Sequence, residues 1–413
     1  MKPITPATAA PATVLLATLL LATLLLACAS PTPPAPYDFA TPERFHYLAD
    51  TLRLDSATYA ERFAKALAGS AYGDAMGAGT EMWDRGEIAL RHGYVTTVLP
   101  SVRPRSPEGP WVNNGPGGTT TDDTRWKQLM VDYLDGAGGD PTPEKFAAFL
   151  SDYYEGQVAM LGALDAGEDP DVMDARLQQV DWIKEWARVA MAYRAGDIER
   201  FERARARFYG GEMSCAGMLY TPVLGLVAPT PDSAYALAYR HTLFDHGYAK
   251  DISSLVAAMT NAALRTSDID SVLDVATYVD PLGYADARLV GRIPFQLAQS
   301  ARRTVQVARE MAVADTLTVA EGGRLRVPRG YPLSREEWVR QDFVYRQLTK
   351  DQRAVAFHAG EIWQVLVAGL AWGAGDFDRT MAFIVNYGRD NDTVAAVAGT
   401  VLGASGKSAK VGK

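Results

Sequence analysis

Residues 394–402 (VAAVAGTVL) are apolar on every side. A helix without a polar face has no route to solvent, so it must run through the middle of a bundle. Directly before it stands 388–393 (GRDNDT), which carries Asp390 and Asp392 to the edge of the core. A buried carboxylate is costly unless it is paired or neutralised, so these two acids need a partner that the helix itself lacks. Other segments repeat the helical period. Residues 58–69 place Tyr59, Phe63, Ala66 and Leu67 on one face, and 253–264 align Leu255, Val256, Met259 and Ala263. Residues 179–194 have the same spacing. Alternation with period two is scarce, residues 324–328 being the one short candidate for a strand. The pattern predicts an all-α fold, without the repeat period of a solenoid.

The N-terminus reads differently. Residues 13–27 (TVLLATLLLATLLLA) form an uncharged Leu/Ala run behind Lys2, suited in length to the hydrophobic part of a signal peptide. The run closes on Leu25-Leu26-Ala27-Cys28, which resembles a bacterial lipobox, a site of cleavage and of lipidation at Cys28. A Pro/Ala-rich tether follows over 28–43. The domain order expected is therefore signal peptide 1–27, tether 28–43, helical domain 44–405 and a disordered tail 406–413. That places the protein in the cell envelope, held to a membrane by a lipid anchor only. Cys28 and Cys215 are the only cysteines, which rules out a disulfide framework. A net charge of −8 argues against a nucleic-acid partner. Loops rich in Pro and Gly stand at 100–120 and 320–332, lengths that suit lids or binding loops.

Three segments combine glycine with acids: 73–77 (GDAMG) with Glu81, 121–124 (TDDT), and 388–393. Oxygen-only clusters suit hard cations such as Mg²⁺ or Mn²⁺. The five histidines lack zinc-ligand spacing. The second and third segments alone also read as helix starts, with Thr121, Asp122, Asp390 or Asp392 as caps favoured by the helix dipole. Trp83, Trp111 and Trp126 flank the acids and offer either stacking surfaces or core packing. Asn113, Asn114, Gly115 and Gly117 permit a close backbone approach to a phosphate or a plain solvated turn.

Taken together, GDAMG with Glu81, then TDDT, then 386–393 (NYGRDNDT) resemble the ADP-ribosylglycohydrolase family. This family includes the dinitrogenase-reductase-activating glycohydrolases and the ADP-ribosyl-arginine and ADP-ribosyl-serine hydrolases. The resemblance spans roughly residues 58–404. It implies a single large compact orthogonal helical domain, here with insertions at 136–210 and 315–345. It further implies two Mg²⁺ or Mn²⁺ ions on Thr121, Asp122, Asp123, Asp390, Asp392 and Thr393, with Glu81 and Asp123 in catalytic roles. Candidate substrate contacts are Asp74, Gly115, Gly117, Ser214, Gly217, Gly388 and Arg389, the last able to meet a phosphate or simply to pair with Asp390. The segment 244–249 (FDHGYA) resembles the family's His-containing segment, with a structural role for His246.

The activity implied is metal-dependent hydrolysis of an N- or O-glycosidic bond at the anomeric carbon of an ADP-ribosyl or related ribosyl group. The partner is then an ADP-ribosylated protein or a ribosyl-containing small molecule, met by a monomer. One segment departs from the family pattern: 214–222 (SCAGMLYTP) lacks the Gly/Asn-rich character of the adenosine-side loop and its arginine. This departure keeps two other readings open: a hydrolase of another nucleoside or glycosyl small molecule on the same scaffold, and a non-catalytic surface-tethered binding protein.

Overall fold

The computed structural model describes residues 52–101, 115–169, 171–313 and 326–409, all within one unit of the chain, 43–413. Cys28 and the segments 1–27 and 28–43 lie outside the described residues, as do Trp111, Asn113 and Asn114.

In chain order the elements are α1 (Ser56–Gly77), β1 (Trp83–Asp84), α2 (Arg85–Arg91), α3 (Asp122–Ala137), α4 (Pro143–Met160), α5 (Asp171–Arg194) and α6 (Ile198–Ala206). After 3-10 turns at Phe208–Gly211 and Ala216–Leu219 come α7 (Thr221–Val227), α8 (Pro231–His241), α9 (Ala249–Ala263), α10 (Ile269–Leu273) and α11 (Val275–Tyr278). A 3-10 turn at Tyr284–Asp286 leads to α12 (Ile293–Glu310), α13 (Arg335–Lys350), α14 (Ala359–Gly373), α15 (Phe377–Tyr387), β2 (Gly388–Arg389) and α16 (Asn391–Ala404). The fold is all-α.

The helix required to be central is central. Every residue of α16 is buried, as is every residue of α14. In α9 only Lys250 reaches toward solvent. Helix α1 lies directly along α16, and glycines make the contact. A Cβ placed at Gly69, Gly73 or Gly77 would fall 2.4, 2.1 or 2.3 Å from the backbone of α16. The two helices thus touch main chain to main chain, which only residues without a side chain allow. On the far side, Arg292 ties the start of α12 to α9 through a buried pair with Asp251 at 2.6 Å, and Tyr235 donates to the same carboxylate.

The one sheet among the described residues is a two-residue antiparallel pair, β1 with β2, matching Trp83 to Arg389 and Asp84 to Gly388. It is not where period two suggested a strand. Residues 326–328 are irregular, while 324 and 325 lie outside the described residues. The pair closes because Gly388 adopts a φ of 80° and its missing side chain leaves room for the Trp83 carbonyl. After α16, the Gly406 and Lys407 amides donate back to the carbonyls of Gly403 and Leu402, and the chain is described as far as 409. Among the described residues no helix is long and apolar enough to cross a membrane.

Candidate active site

Three helix ends meet where the three acidic segments predict. The C-terminal end of α1 delivers Asp74 and, one turn beyond it, Glu81. The first turn of α3 brings Asp122 and Asp123, and the first turn of α16 brings Asp390, Asp392 and Thr393. Between them lies a cavity of about 280 Å³, lined by Glu81, Asp122, Asp390, Asp392 and Thr393 on one side. Tyr209, Ser214, Cys215 and Phe357 line the other.

Each carboxylate is placed by a traceable set of bonds. Asp74 is fully buried and points at the start of α3, accepting from the Thr121 amide at 2.9 Å, the Thr124 amide at 3.0 Å and the Thr124 hydroxyl at 2.5 Å. It positions the Asp122 turn and does not line the cavity. Thr121 caps α3, its hydroxyl accepting from the Asp123 amide at 3.3 Å. Replacing Thr121 by Ala therefore lowers stability in chelator by about 1 kcal/mol, measured by urea denaturation; no change would remove the capping role. Asp390, at the corresponding position of α16, makes no such cap bond. Its Oδ2 lies 3.7 Å from the Cys215 thiol. Glu81 follows a turn held to the third segment, since the Met82 amide donates to the Arg389 carbonyl and Asn391 donates to the Thr80 hydroxyl.

The electrostatics are those of acids crowded together away from water. Burial, reinforced by Glu81 and Asp123, pushes the Asp390 carboxyl up to about 8. Burial and Asp123 raise Asp122 to about 7 and Asp74 to about 6. Asp392 is driven well above the ordinary carboxylate range by burial, then by Glu81 and Asp390. Its Oδ1 is buried without a hydrogen-bond partner, as is the neighbouring Oδ1 of Asn391. Among the described residues no group of three Asp, Glu, His or Cys side chains is arranged to hold a metal ion as it stands. The chemistry of the donors nevertheless fits a hard cation: they are oxygen-only, and one buried carboxylate oxygen has no partner.

The other expected contacts divide. Ser214 lines the cavity with its Oγ buried and unpartnered. Gly217 lies in the core, its amide donating to Asp245 at 2.8 Å. Gly115 pairs with Ser101 in an isolated bridge, and Gly117 packs near Val98 and Leu99. Gly388 belongs to the short sheet. Arg389 turns away from Asp390 and forms a forked pair with Glu361 at 2.8 and 3.1 Å. His246 meets the Arg205 carbonyl at 2.6 Å, in line with a structural role. Trp126 is core, its ring centroid 4.1 Å from that of Trp186, and Trp83 packs against His92 with the rings tilted by 40°.

Three residues at or beside the site, Tyr209, Phe357 and Lys127, carry no motif. Tyr209 and Phe357 form an aromatic wall with ring centroids 5.6 Å apart. Tyr209 holds a φ of 44°, and its hydroxyl accepts from the Trp186 indole. The Gly210-Gly211 pair after it is the sequence signal for an irregular turn there. Cys215 is buried at the edge of the core and lines the cavity. Lys127 is buried beside Asp123 at 3.2 Å, a pair legible as an i,i+4 spacing of opposite charges.

A family model, ADP-ribosylglycohydrolase, matches residues 55–410. The solved structure of an ADP-ribosylglycohydrolase-related protein complex is similar with a TM-score of 0.48 and 20% identity, over 84% of this chain and 88% of that one. No curated protein matches.

Proposed function

The chain belongs to the ADP-ribosylglycohydrolase family, which makes it a glycohydrolase-type enzyme, and we propose that it hydrolyses the bond at the anomeric carbon of an ADP-ribosyl or related ribosyl group with divalent-cation help. The observation that carries the reading is the partnerless Oδ1 of Asp392 in a cavity walled by three further carboxylates, Glu81, Asp122 and Asp390.

Asp122, Asp390, Asp392 and the Thr393 hydroxyl would hold Mg²⁺ or Mn²⁺, with Thr121 and Asp123 supporting them from α3. The ion supplies Lewis-acid polarisation of a ribose hydroxyl or a water. The remaining work falls to the chain. Glu81 takes a proton from the attacking water as the water oxygen bonds to the anomeric carbon. The glycosidic bond breaks with its electron pair going to the leaving group, which receives that proton. The surrounding carboxylates stabilise the positive charge that develops on the sugar. Tyr209 and Phe357 offer an apolar wall to the flat face of the ligand. A cavity of about 280 Å³ lies at the lower end of the small-molecule range, room for a ribosyl unit with the rest of the substrate outside it. The lipobox-like sequence ending at Cys28 supports a place in the cell envelope on a lipid anchor.

The altered segment 214–222 favours a second reading, in which a nucleoside or another glycosyl small molecule is the substrate. Incubating the full chain with ADP-ribosylated protein and, separately, with nucleosides, in Mg²⁺ or in chelator, decides between them. Release of ADP-ribose only with Mg²⁺ is expected, and release of free base from nucleosides alone would select the second reading. Cation binding with no product from either would leave the tethered binder.

Proton linkage gives an independent check. Unfolded, these acids release their protons near 3.8; folded, Asp74, Asp122 and Asp390 keep them to about 6, 7 and 8. Between those limits the folded chain binds more protons, so stability in chelator falls as pH rises. A cation that displaces the protons cancels the trend. Stabilisation by saturating Mg²⁺ should therefore grow between pH ~6 and pH ~8, by about 1.4 kcal/mol per pH unit for each proton displaced. A pH-independent increment in calorimetric unfolding would contradict it.

A further inference from the structure

Lys127 sits one turn beyond Asp123 on α3, 3% exposed. Its ammonium donates to the Asp123 Oδ1 and to the Asp123 carbonyl, both at 3.2 Å. The other carboxylate oxygen of Asp123, Oδ2, accepts from the Thr393 hydroxyl at 2.8 Å. Both oxygens of Asp123 are thus engaged, and Asp123 does not line the cavity. Thr121 is likewise turned inward as the cap of the same helix.

Of the six donors that the family resemblance assigns to two ions, four therefore line the cavity, Asp122, Asp390, Asp392 and Thr393, joined there by Glu81. Two hard cations held close together repel, and each is held by carboxylates whose charge is not already neutralised. Asp123 is the acid that spans from α3 to Thr393 of α16, and its charge is already answered by Lys127. A second ion on Asp123 would stand beside that buried ammonium, like charge facing like charge.

We infer, resting on the metal-dependent reading above, that the Lys127 ammonium stands in for a second cation and that the pocket holds a single divalent ion. Lys127 acts through Asp123 and is a positioning residue.

The test is a titration of the metal-depleted full chain with Mn²⁺ by calorimetry, followed by electron paramagnetic resonance. One ion per chain and the spectrum of isolated Mn²⁺ are expected. Lys127→Met, which keeps the length of the side chain and drops its charge, should bind two ions with an exchange-coupled spectrum. Two ions or a coupled spectrum in the wild type would overturn the inference and leave the metal-dependent reading standing. So would a single ion in folded Lys127→Met. No ion in the wild type would sink the metal-dependent reading itself. Should Lys127→Met fail to fold, judged by circular dichroism, the wild-type stoichiometry and spectrum decide.

Discussion

Replacing Asp392 by Asn abolishes turnover, by roughly a thousandfold in kcat/KM or about 4 kcal/mol, and leaves the protein in chelator as stable as before or more stable. The two halves follow from one arrangement. Asp392 is 2% exposed, opens α16 and presents an oxygen with no hydrogen-bond partner. Burial and the neighbouring Glu81 and Asp390 raise its carboxyl well above the ordinary range. A carboxylate raised in this way weakens the fold as pH rises through its titration, so an amide of the same shape removes that penalty. Were Asp392 present only to favour the helix dipole, Asn would cost about 0.3–1 kcal/mol of stability and leave the rate alone. Measuring the rate in Mg²⁺ beside urea denaturation in chelator separates the cases. A kcat/KM within a few-fold of the wild type would end the catalytic-pocket assignment.

What could be read from the sequence depended on how local the physics was. The buried helix at 394–402 was legible because apolarity on all sides admits one environment, and α9 because its spacing is regular. Helix α14 is just as buried, yet Glu361 and Gln364 break its apolar run. Glu361 is buried because it answers Arg389 across the fold. No local pattern reports a partner 28 residues away. Helix-start acids were visible, but their division of labour was not. Thr121 caps and Asp390 does not, and Asp74 serves as an anchor for α3. That division depends on how α1, α3 and α16 meet. Of the strand expected at 324–328, the described residues 326–328 are irregular, for a related reason. The residues that pair, Trp83–Asp84 and Gly388–Arg389, are two-residue pieces brought together by helix packing. Tyr209 and Phe357 reach the cavity from a tertiary turn and a loop, with no motif to mark them.

The glycines of the first segment carry the second large effect. Gly77→Ala should destabilise the protein by about 3 kcal/mol or more and remove activity with it. Overpacking of a core contact costs about 1–3 kcal/mol when side chains can yield, and more when they cannot. Here the neighbour is main chain: the new Cβ would meet the Asp392 Cα at 2.3 Å and its amide nitrogen at 2.4 Å. Relief comes only by moving the start of α16, which moves Asp392 out of the pocket. Gly73→Ala meets the Ala395 carbonyl at 2.1 Å, one turn further from the acids. It should cost similar stability while sparing more of the rate in the fraction that folds. The control is Gly136→Ala on α3, where nothing lies within 4 Å. That change should stabilise by about 0.5–1 kcal/mol. Urea denaturation of the three variants, with rates corrected for folded protein, tests the ordering. If Gly77→Ala proved as stable and active as Gly136→Ala, the backbone contact of α1 with α16 would not be what sets Asp392 in place.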